Sequence, residues 1–240
     1  MRKGLSVIGI AFLAISLLYG CASTNNAKIK KQSQAHYQLA VSHLQSGRLQ
    51  DAFVELQRCI KLNPTEKRAY YLLGLIYKEF DDLRASEESL LKAIEIDPNY
   101  SEAYNALGVV YEAMGQWNKA IKQFELALKN PLYLSPEKAL YNLGNAYYRQ
   151  GKYEKALSAY KAAIKRRPEF HLPYYGLALS YNMLKRYGDA ADALEEAIRL
   201  DPVLRGDRER AREYFRRMKL KATDPAVEQD YIDLLDILYY

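Results

Sequence analysis

A small residue recurs along the chain at a nearly constant spacing, each time preceded by leucine and followed three residues later by a ring-bearing side chain. The small residues are Ala40, Gly74, Gly108, Gly144 and Ala178. They are separated by 34, 34, 36 and 34 residues. A fixed period of this length is typical of repeat proteins, in which each unit buries its apolar face against its neighbours. The sequence therefore predicts an array of five similar units.

Each unit carries two apolar stripes at helical spacing, separated by a turn. Small residues repeat in the second stripe at Ala52, Ser86, Ala120, Ala156 and Ala190. The turns are predicted around Gly47, Asp81, Gly115, Gly151 and Lys185. Four units end in a proline, which cannot continue a helix: Pro64, Pro98, Pro168 and Pro202. Small residues allow two antiparallel helices to approach closely, so each unit is predicted to be a helix-turn-helix pair.

At these residues the chain resembles the tetratricopeptide repeat family, from about Ser33 to Leu204. The resemblance implies an all-α fold, a right-handed superhelical solenoid of about five helix-turn-helix units. The units are assigned to residues 33–66, 67–100, 101–136, 137–170 and 171–204. Residues 205–240 are predicted to form two more amphipathic helices. These either cap the end of the solenoid or, through the basic first helix, meet an acidic partner or anionic lipid.

Several residues that could suggest a site occupy repeat positions and are therefore assigned to the core. Cys59 stands where other units have alanine, which predicts a buried packing residue rather than a reactive thiol. His36 and His43 fall at positions held by aromatic residues in other units. One further repeat position is shared by Trp117, Tyr153 and Tyr187. The sequence predicts that all of these side chains contribute to packing.

The N-terminus has the layout of a secretion signal. A short basic start, Met1–Lys3, precedes an apolar run from Leu5 to Leu18 that is shorter than a membrane-spanning helix requires. The sequence around Leu18–Cys21 resembles the bacterial lipobox, which implies cleavage after residue 20 and lipidation of Cys21. We therefore expect a signal peptide at 1–20 and a lipidated, polar tether at 21–32; an uncleaved N-terminal anchor is the alternative.

Composition and motifs exclude several classes of function. The net charge of +6 is modest and dispersed, and two of the positive charges lie in the expected signal peptide, so no nucleic-acid partner is predicted. The sequence has no zinc-ligand spacing, phosphate-binding loop or nucleophile motif. No catalytic residue, metal, cofactor or small-molecule substrate is therefore expected, and the chain is not predicted to be an enzyme.

In the tetratricopeptide family, four positions of each first helix line an inner surface that binds partners. The resemblance implies a groove of Tyr37, Tyr71, Asn105, Tyr141, Asn145, Tyr148, Tyr175 and Asn182. Tyrosine offers a large contact area and a hydroxyl for peptide groups, so an extended or helical protein segment is the expected ligand. The alternative is that individual rings only pack against neighbouring helices. The lysine-asparagine set that grips a terminal carboxylate in some members is incomplete, because Tyr141 replaces the lysine.

The lipobox, tether, five units and helical end together resemble the type IV pilus biogenesis lipoproteins of the PilF/PilW family. The corner from Asn130 to Tyr148 is similar as well; its two extra residues form either a tolerated insertion or a partner contact. The resemblance implies a pilotin that binds an outer-membrane secretin and promotes its localisation and assembly. It also implies a lipid anchor on the periplasmic face of the outer membrane. The alternative is a periplasmic adaptor for peptidoglycan hydrolases or other envelope assembly machinery.

Overall fold

The computed structural model describes residues 26–239, and within that range the chain forms twelve helices and no strand. The helices are α1 (26–45), α2 (Leu49–Leu62), α3 (Lys67–Glu79), α4 (Leu83–Ile96), α5 (Ser101–Ala113), α6 (Trp117–Leu128), α7 (Pro136–Arg149), α8 (Tyr153–Arg166), α9 (Leu172–Met183), α10 (Tyr187–Leu200), α11 (Arg208–Lys221) and α12 (Pro225–Ile237). The all-α prediction is confirmed. The predicted signal peptide and the lipidated Cys21 lie outside the described residues.

The chain divides into two compact units at Pro98 and Asn99. The described part of the first unit contains α1 to α4, and the second unit contains α5 to α12. In both units, consecutive helices are paired through turns of three residues, as in the helix-turn-helix repeat.

The turn within each pair places one residue in the left-handed conformation. The φ angles are 70° at Gly47, 61° at Asp81, 69° at Gly115, 70° at Gly151 and 59° at Lys185. In each turn the next amide N–H donates back to a carbonyl five residues earlier, as Arg48 does to His43 at 2.9 Å and Arg186 does to Tyr181 at 2.9 Å. This bond satisfies a carbonyl that the helix end leaves free. The five predicted turn positions are therefore confirmed.

The glycines of the first series allow large side chains of the second helix to touch the backbone of the first. A Cβ atom on Gly108 would lie 2.3 Å from the ring of Phe124, and one on Gly144 would lie 2.5 Å from the ring of Tyr160. The same Tyr160 ring is 2.3 Å from the Cβ position of Gly176, in the next helix pair. These distances leave no room for a methyl group, which explains the small residues in the repeat.

The first compact unit has its own core, formed by Ala40, Ala52, Leu56, Cys59, Ala69, Leu73 and Ile76. Cys59 is fully buried, and the Ser33 hydroxyl donates to its carbonyl oxygen at 3.1 Å. Burial raises the pKa of the Cys59 thiol, which keeps it in the unreactive protonated form. The prediction that Cys59 is a packing residue is confirmed.

The beginning of this unit differs from the prediction in two respects. Helix α1 already includes residues 26–32, which the sequence analysis assigned to the tether. His36 and His43 are only half-buried rather than core residues. The Nδ1 atom of His36 lies 2.5 Å from a carboxylate oxygen of Glu55, which also accepts a hydrogen bond from Arg58 at 2.5 Å. Polar pairing at the edge of the unit therefore replaces the predicted apolar packing of His36.

The core of the second unit extends through its last helices. Leu194 and Ile198 of α10 share one buried cluster with Phe215 of α11 and with Leu234 and Ile237 of α12. Helix α12 packs against α9, α10 and α11. The two C-terminal helices therefore cover the last repeat pair, as the capping alternative predicted.

One predicted set of core aromatic residues is more exposed than expected. Trp117 and Tyr153 are half-buried, and Tyr187 is 46% exposed. Each of them is the first residue of its helix. Because side chains on a helix tilt toward its N-terminus, a side chain at the first position points past the end of the packed interface. The core prediction is wrong for Tyr187 and only partly right for the other two.

Candidate functional site

An open cavity of about 330 Å³ lies in the second compact unit, with α5, α6, α7, α8 and α9 around it and α12 along one side. We call it the Glu112 cavity. Its lining residues are Glu112, Trp117, Tyr141, Asn145, Tyr148, Arg149, Tyr160, Leu172, Tyr175, Gly176, Leu179, Asp224, Val227 and Asp230. Aromatic rings form much of the wall, and four ionisable acidic or basic side chains also line it.

Four of the eight predicted groove residues line this cavity: Tyr141, Asn145, Tyr148 and Tyr175. The first three lie on α7 and the fourth lies on α9. Helix periodicity brings the α7 residues to one face because they are three to four residues apart. The structure therefore brings these four side chains together around a space that is open to solvent.

Buried aromatic contacts fix the floor of the cavity. The Tyr160 hydroxyl donates to the side-chain oxygen of Asn145 at 2.8 Å. The ring of Tyr141 lies 6.1 Å from the ring of Tyr160 and 5.5 Å from that of Phe170. Burial raises the pKa of Tyr141, so its hydroxyl stays neutral and can act as a hydrogen-bond donor. This side of the site is rigid and uncharged.

Helix α12 is joined to α7 by a charged contact at the rim. Arg149 forms an ion pair with Asp230, and it also donates to the backbone oxygen of Ala226 at 3.3 Å. The Tyr148 hydroxyl donates to Asp230 at 3.1 Å, and the Arg149 guanidinium lies 5.5 Å from the centre of the Tyr148 ring. Burial raises the pKa of Asp230, although the Arg149 charge opposes this effect. Asp230 therefore lies at the contact between α12 and α7.

Glu112 is the one carboxyl group of the cavity wall without a hydrogen bond or ion pair among the described residues. Burial raises its pKa to about 8, and the charge of Arg149 only partly opposes the increase. The Arg149 guanidinium cannot neutralise Glu112 fully because its hydrogen bonds go to α12. The side chain is therefore largely protonated at neutral pH.

Sequence reasoning missed several residues of this site. Glu112 was not among the predicted groove residues, although it occupies one of the four inner positions of its helix, and this repeat position could have identified it. Trp117 was assigned to the core by its repeat position, yet it lines the cavity. Arg149 and Asp230 are separated by 81 residues, and no local pattern indicates that they pair.

The remaining predicted groove residues lie elsewhere. Asn105 accepts a hydrogen bond from Asn142 at 3.1 Å, joining α5 to α7 outside the cavity lining. Asn182 is half-buried and does not line the cavity. Tyr37 and Tyr71 belong to the first compact unit, where both are half-buried. The Arg68 guanidinium lies 4.4 Å from the centre of the Tyr37 ring.

The loop between α6 and α7 exposes two leucines. Leu132 is 82% exposed and Leu134 is 88% exposed, whereas Tyr133 between them is buried against Ala127 and Ala139. The loop therefore presents apolar side chains on an anchored backbone. Both readings of this corner, insertion and partner contact, remain consistent with this geometry.

Two further features are absent from residues 26–239. No group of three or more histidine, cysteine, aspartate or glutamate side chains in that range is arranged to hold a metal ion. None of the helices in that range combines the length and apolar character required to cross a membrane.

Models of the tetratricopeptide repeat match residues 33–66, 67–100, 105–169 and 141–205, which together exceed half of the chain. The chain belongs to the tetratricopeptide repeat family. Members of this family bind protein partners, so the cavity on the helix pairs is a candidate protein-binding site.

Several solved structures share this fold. PilW, described as a widely conserved type IV pilus biogenesis factor, is 21% identical with a TM-score of 0.64, and the match covers 82% of this chain and 97% of PilW. PilF of Pseudomonas aeruginosa is 19% identical with a TM-score of 0.67, and the match covers 85% and 98% of the two chains. At this level of identity, the likeness establishes the fold.

Similarity to curated proteins is confined to short stretches. Stress-induced-phosphoprotein 1 of Caenorhabditis elegans is 35% identical over 88 residues, which is 35% of this chain and 28% of that protein. The chain thus spans less than a third of the length of that relative.

Proposed function

We propose that this tetratricopeptide repeat protein is an outer-membrane lipoprotein that promotes the localisation and assembly of a type IV pilus secretin. In this proposal the lipid on Cys21 holds the protein at the periplasmic face of the outer membrane. The repeat array then binds the secretin, and no catalytic step is involved. The acyl chains determine location, and the inner surface of the array determines which protein is bound.

The protein-binding part of the proposal is supported by the Glu112 cavity. It is open to solvent, and tyrosines that tertiary contacts hold in place form much of its wall. Rigid tyrosines provide contact area at little cost in side-chain entropy, which suits recognition of a peptide segment. This cavity is the observation that carries the proposal of a binding scaffold.

The pilus part of the proposal is supported by the extent of the fold likeness. The matches cover 97% of PilW and 98% of PilF, and both include more of this chain than its repeat pairs alone require. The lipobox-like sequence at Leu18–Cys21 agrees with a lipoprotein. Together these features favour an envelope assembly factor over a cytoplasmic scaffold.

The experiment is a deletion strain complemented with three versions of the protein: wild type, Cys21→Ala and Cys59→Ala. Unboiled membrane fractions are probed by gel for the high-mass secretin band. Cys59→Ala is the matched control, because it replaces a cysteine that the proposal does not lipidate with the residue found at the same repeat position elsewhere. We expect the band to disappear on deletion, to return with wild type and Cys59→Ala, and to be misplaced with Cys21→Ala.

A band that is unchanged by deletion would contradict the secretin assignment. Recovery of peptidoglycan hydrolases without secretin on the purified protein would instead favour the adaptor function. Normal placement of the band with Cys21→Ala would reject the role of the lipid.

A further inference from the structure

The acidic and basic side chains of the Glu112 cavity are unequal in number. Among the described residues, its wall contains three carboxyl groups, on Glu112, Asp224 and Asp230, and one cationic side chain, Arg149. Arg149 is used by α12, through its ion pair with Asp230 and its bond to Ala226. Asp224 accepts the backbone N–H of Ala226 at 2.8 Å and so caps α12. Glu112 is therefore left without a hydrogen bond or an ion pair among the described residues, and the nearby Arg149 charge only partly offsets the effect of its burial.

The aromatic wall is suited to a cation. Rings attract cations to their faces, and tryptophan does so more strongly than tyrosine or phenylalanine. The cavity contains Trp117 together with Tyr141 and Tyr148, and the Arg149 guanidinium already lies over the ring of Tyr148. Asp230 thus has both a guanidinium and an aromatic ring as neighbours, whereas Glu112 lines the same aromatic wall without a hydrogen-bonded cation among the described residues.

We propose that the Glu112 cavity accepts an arginine or lysine side chain from the protein partner. The cationic end pairs with the Glu112 carboxylate, and the alkyl part lies against Trp117 and Tyr148. The inference rests on the proposed function, since it specifies the chemistry of the partner at that site. A volume of about 330 Å³ accommodates one long side chain and the backbone next to it.

Binding of a cation changes the protonation of Glu112. Burial raises the pKa of the free carboxyl to about 8, so the proton must leave before the ion pair forms. Affinity for a cationic side chain should then increase with pH. For a pKa of about 8, the ionised fraction increases about 50-fold from pH 6 to pH 8, and the association constant should follow it.

The other titratable groups around the cavity do not imitate this dependence. Burial raises the pKa values of Tyr141 and Tyr148 on α7, Tyr160 on α8 and Tyr175 on α9, so their hydroxyls stay neutral over this range. Arg149 remains charged, because burial lowers its pKa but the charge and hydrogen bond of Asp230, with smaller contributions from Tyr148 and Asp224, raise it above its ordinary value. Asp224, which caps α12, and Asp230 within α12 are the other acidic groups that line the cavity, and a Glu112 variant separates their contribution from that of Glu112.

The test uses the fluorescence of Trp117, the single tryptophan of the chain, which lies in the cavity wall. The full chain is titrated with the peptide acetyl-Ala-Ala-Arg-Ala-Ala-amide and with its citrulline analogue, which has the same shape but no charge. We expect a saturable change with the arginine peptide only, with an association constant about 50-fold higher at pH 8 than at pH 6. Glu112→Gln should abolish both the binding and its pH dependence. Glu154→Gln, an exposed change on α8, should alter neither.

Equal binding of the citrulline peptide, or binding that weakens as pH rises, would overturn the proposal. So would the absence of a saturable change up to about 10 mM arginine peptide, a range that includes weak single-side-chain sites. These arms use the wild-type protein and do not depend on how the variant folds. Failure here with normal secretin assembly would reject the cation site alone, whereas arginine binding without any effect of deletion on secretin would reject the proposed function alone.

Discussion

Replacing Glu112 by glutamine measures the energetic cost of a carboxyl group in the cavity. Burial raises the pKa of Glu112 to about 8 from a reference value of 4.5. The folded state therefore holds this proton more tightly than the unfolded state does, and stability should decrease as pH rises from 4.5 to 8. The whole difference corresponds to about 5 kcal/mol. Because the cavity is open to water, we expect about half of this value, ~2 to 3 kcal/mol.

Glutamine has nearly the same shape but does not titrate, so it removes this dependence. Wild type and Glu112→Gln should agree within about 0.5 kcal/mol at pH 4, where the Glu112 carboxyl is mostly protonated in both the folded and the unfolded state. At pH 9 the variant should be more stable by about 2 to 3 kcal/mol. The free energy of unfolding is measured by urea titration with far-ultraviolet circular dichroism, which does not depend on the environment of Trp117. Glu154→Gln serves as the control for the loss of one negative charge.

The reasoning fails if the stabilities of wild type and Glu112→Gln follow parallel curves from pH 4 to pH 9. A parallel pair of curves would mean that Glu112 titrates in the folded protein as it does in the unfolded chain. A variant that is less stable than wild type at pH 9 would show that the Glu112 carboxylate has a stabilising partner.

Three further substitutions test the packing. Gly108→Ala should lower the free energy of unfolding by about 1 to 3 kcal/mol, because the added Cβ would lie 2.3 Å from a ring carbon of Phe124. The control is Gly188→Ala, whose added Cβ would meet open space and should not destabilise the protein. Both are measured by urea denaturation. Lys185→Gly should raise the urea midpoint and increase the free energy of unfolding by about 0.5 to 1 kcal/mol, because residue 185 has a φ angle of 59°, which glycine adopts without strain. A lower midpoint would contradict this reasoning. Asp230→Asn should lower the free energy of unfolding by about 2 kcal/mol and speed amide hydrogen exchange in α12, because Arg149 loses its charged partner. Unchanged exchange would show that the ion pair does not hold α12 in place.

The sequence predicts local structure well because the repeat encodes it at each position. The left-handed turns at Asp81 and Lys185 follow from alignment with the glycines of the other units, although neither residue favours that conformation by itself. Cys59 is placed correctly because a small buried residue is required wherever the two helices of a pair meet. These features depend on neighbours within one repeat pair.

Contacts outside the repeat are not encoded in this way. The position of α12 depends on Arg149 and Asp230, which belong to elements with no shared period. The Glu112 cavity depends on this placement, since Val227 and Asp230 form one of its sides. Four tyrosine and asparagine residues of the site were predictable from helix position, but their partners were not. Tertiary packing of a non-repeating segment therefore defines the remainder of the site.

The position of the Tyr160 ring between Gly144 and Gly176 has a consequence for how the molecule opens. The ring extends from α8 but fills space in both its own pair and the following one. Opening α9 and α10 alone would remove one wall of a fully buried aromatic side chain, so local unfolding of this pair is coupled to that of α7 and α8. These two pairs should behave as one cooperative unit, with amide protection that reflects a common opening free energy. The floor of the cavity would then persist only while both pairs are folded, and it would be lost in a single step.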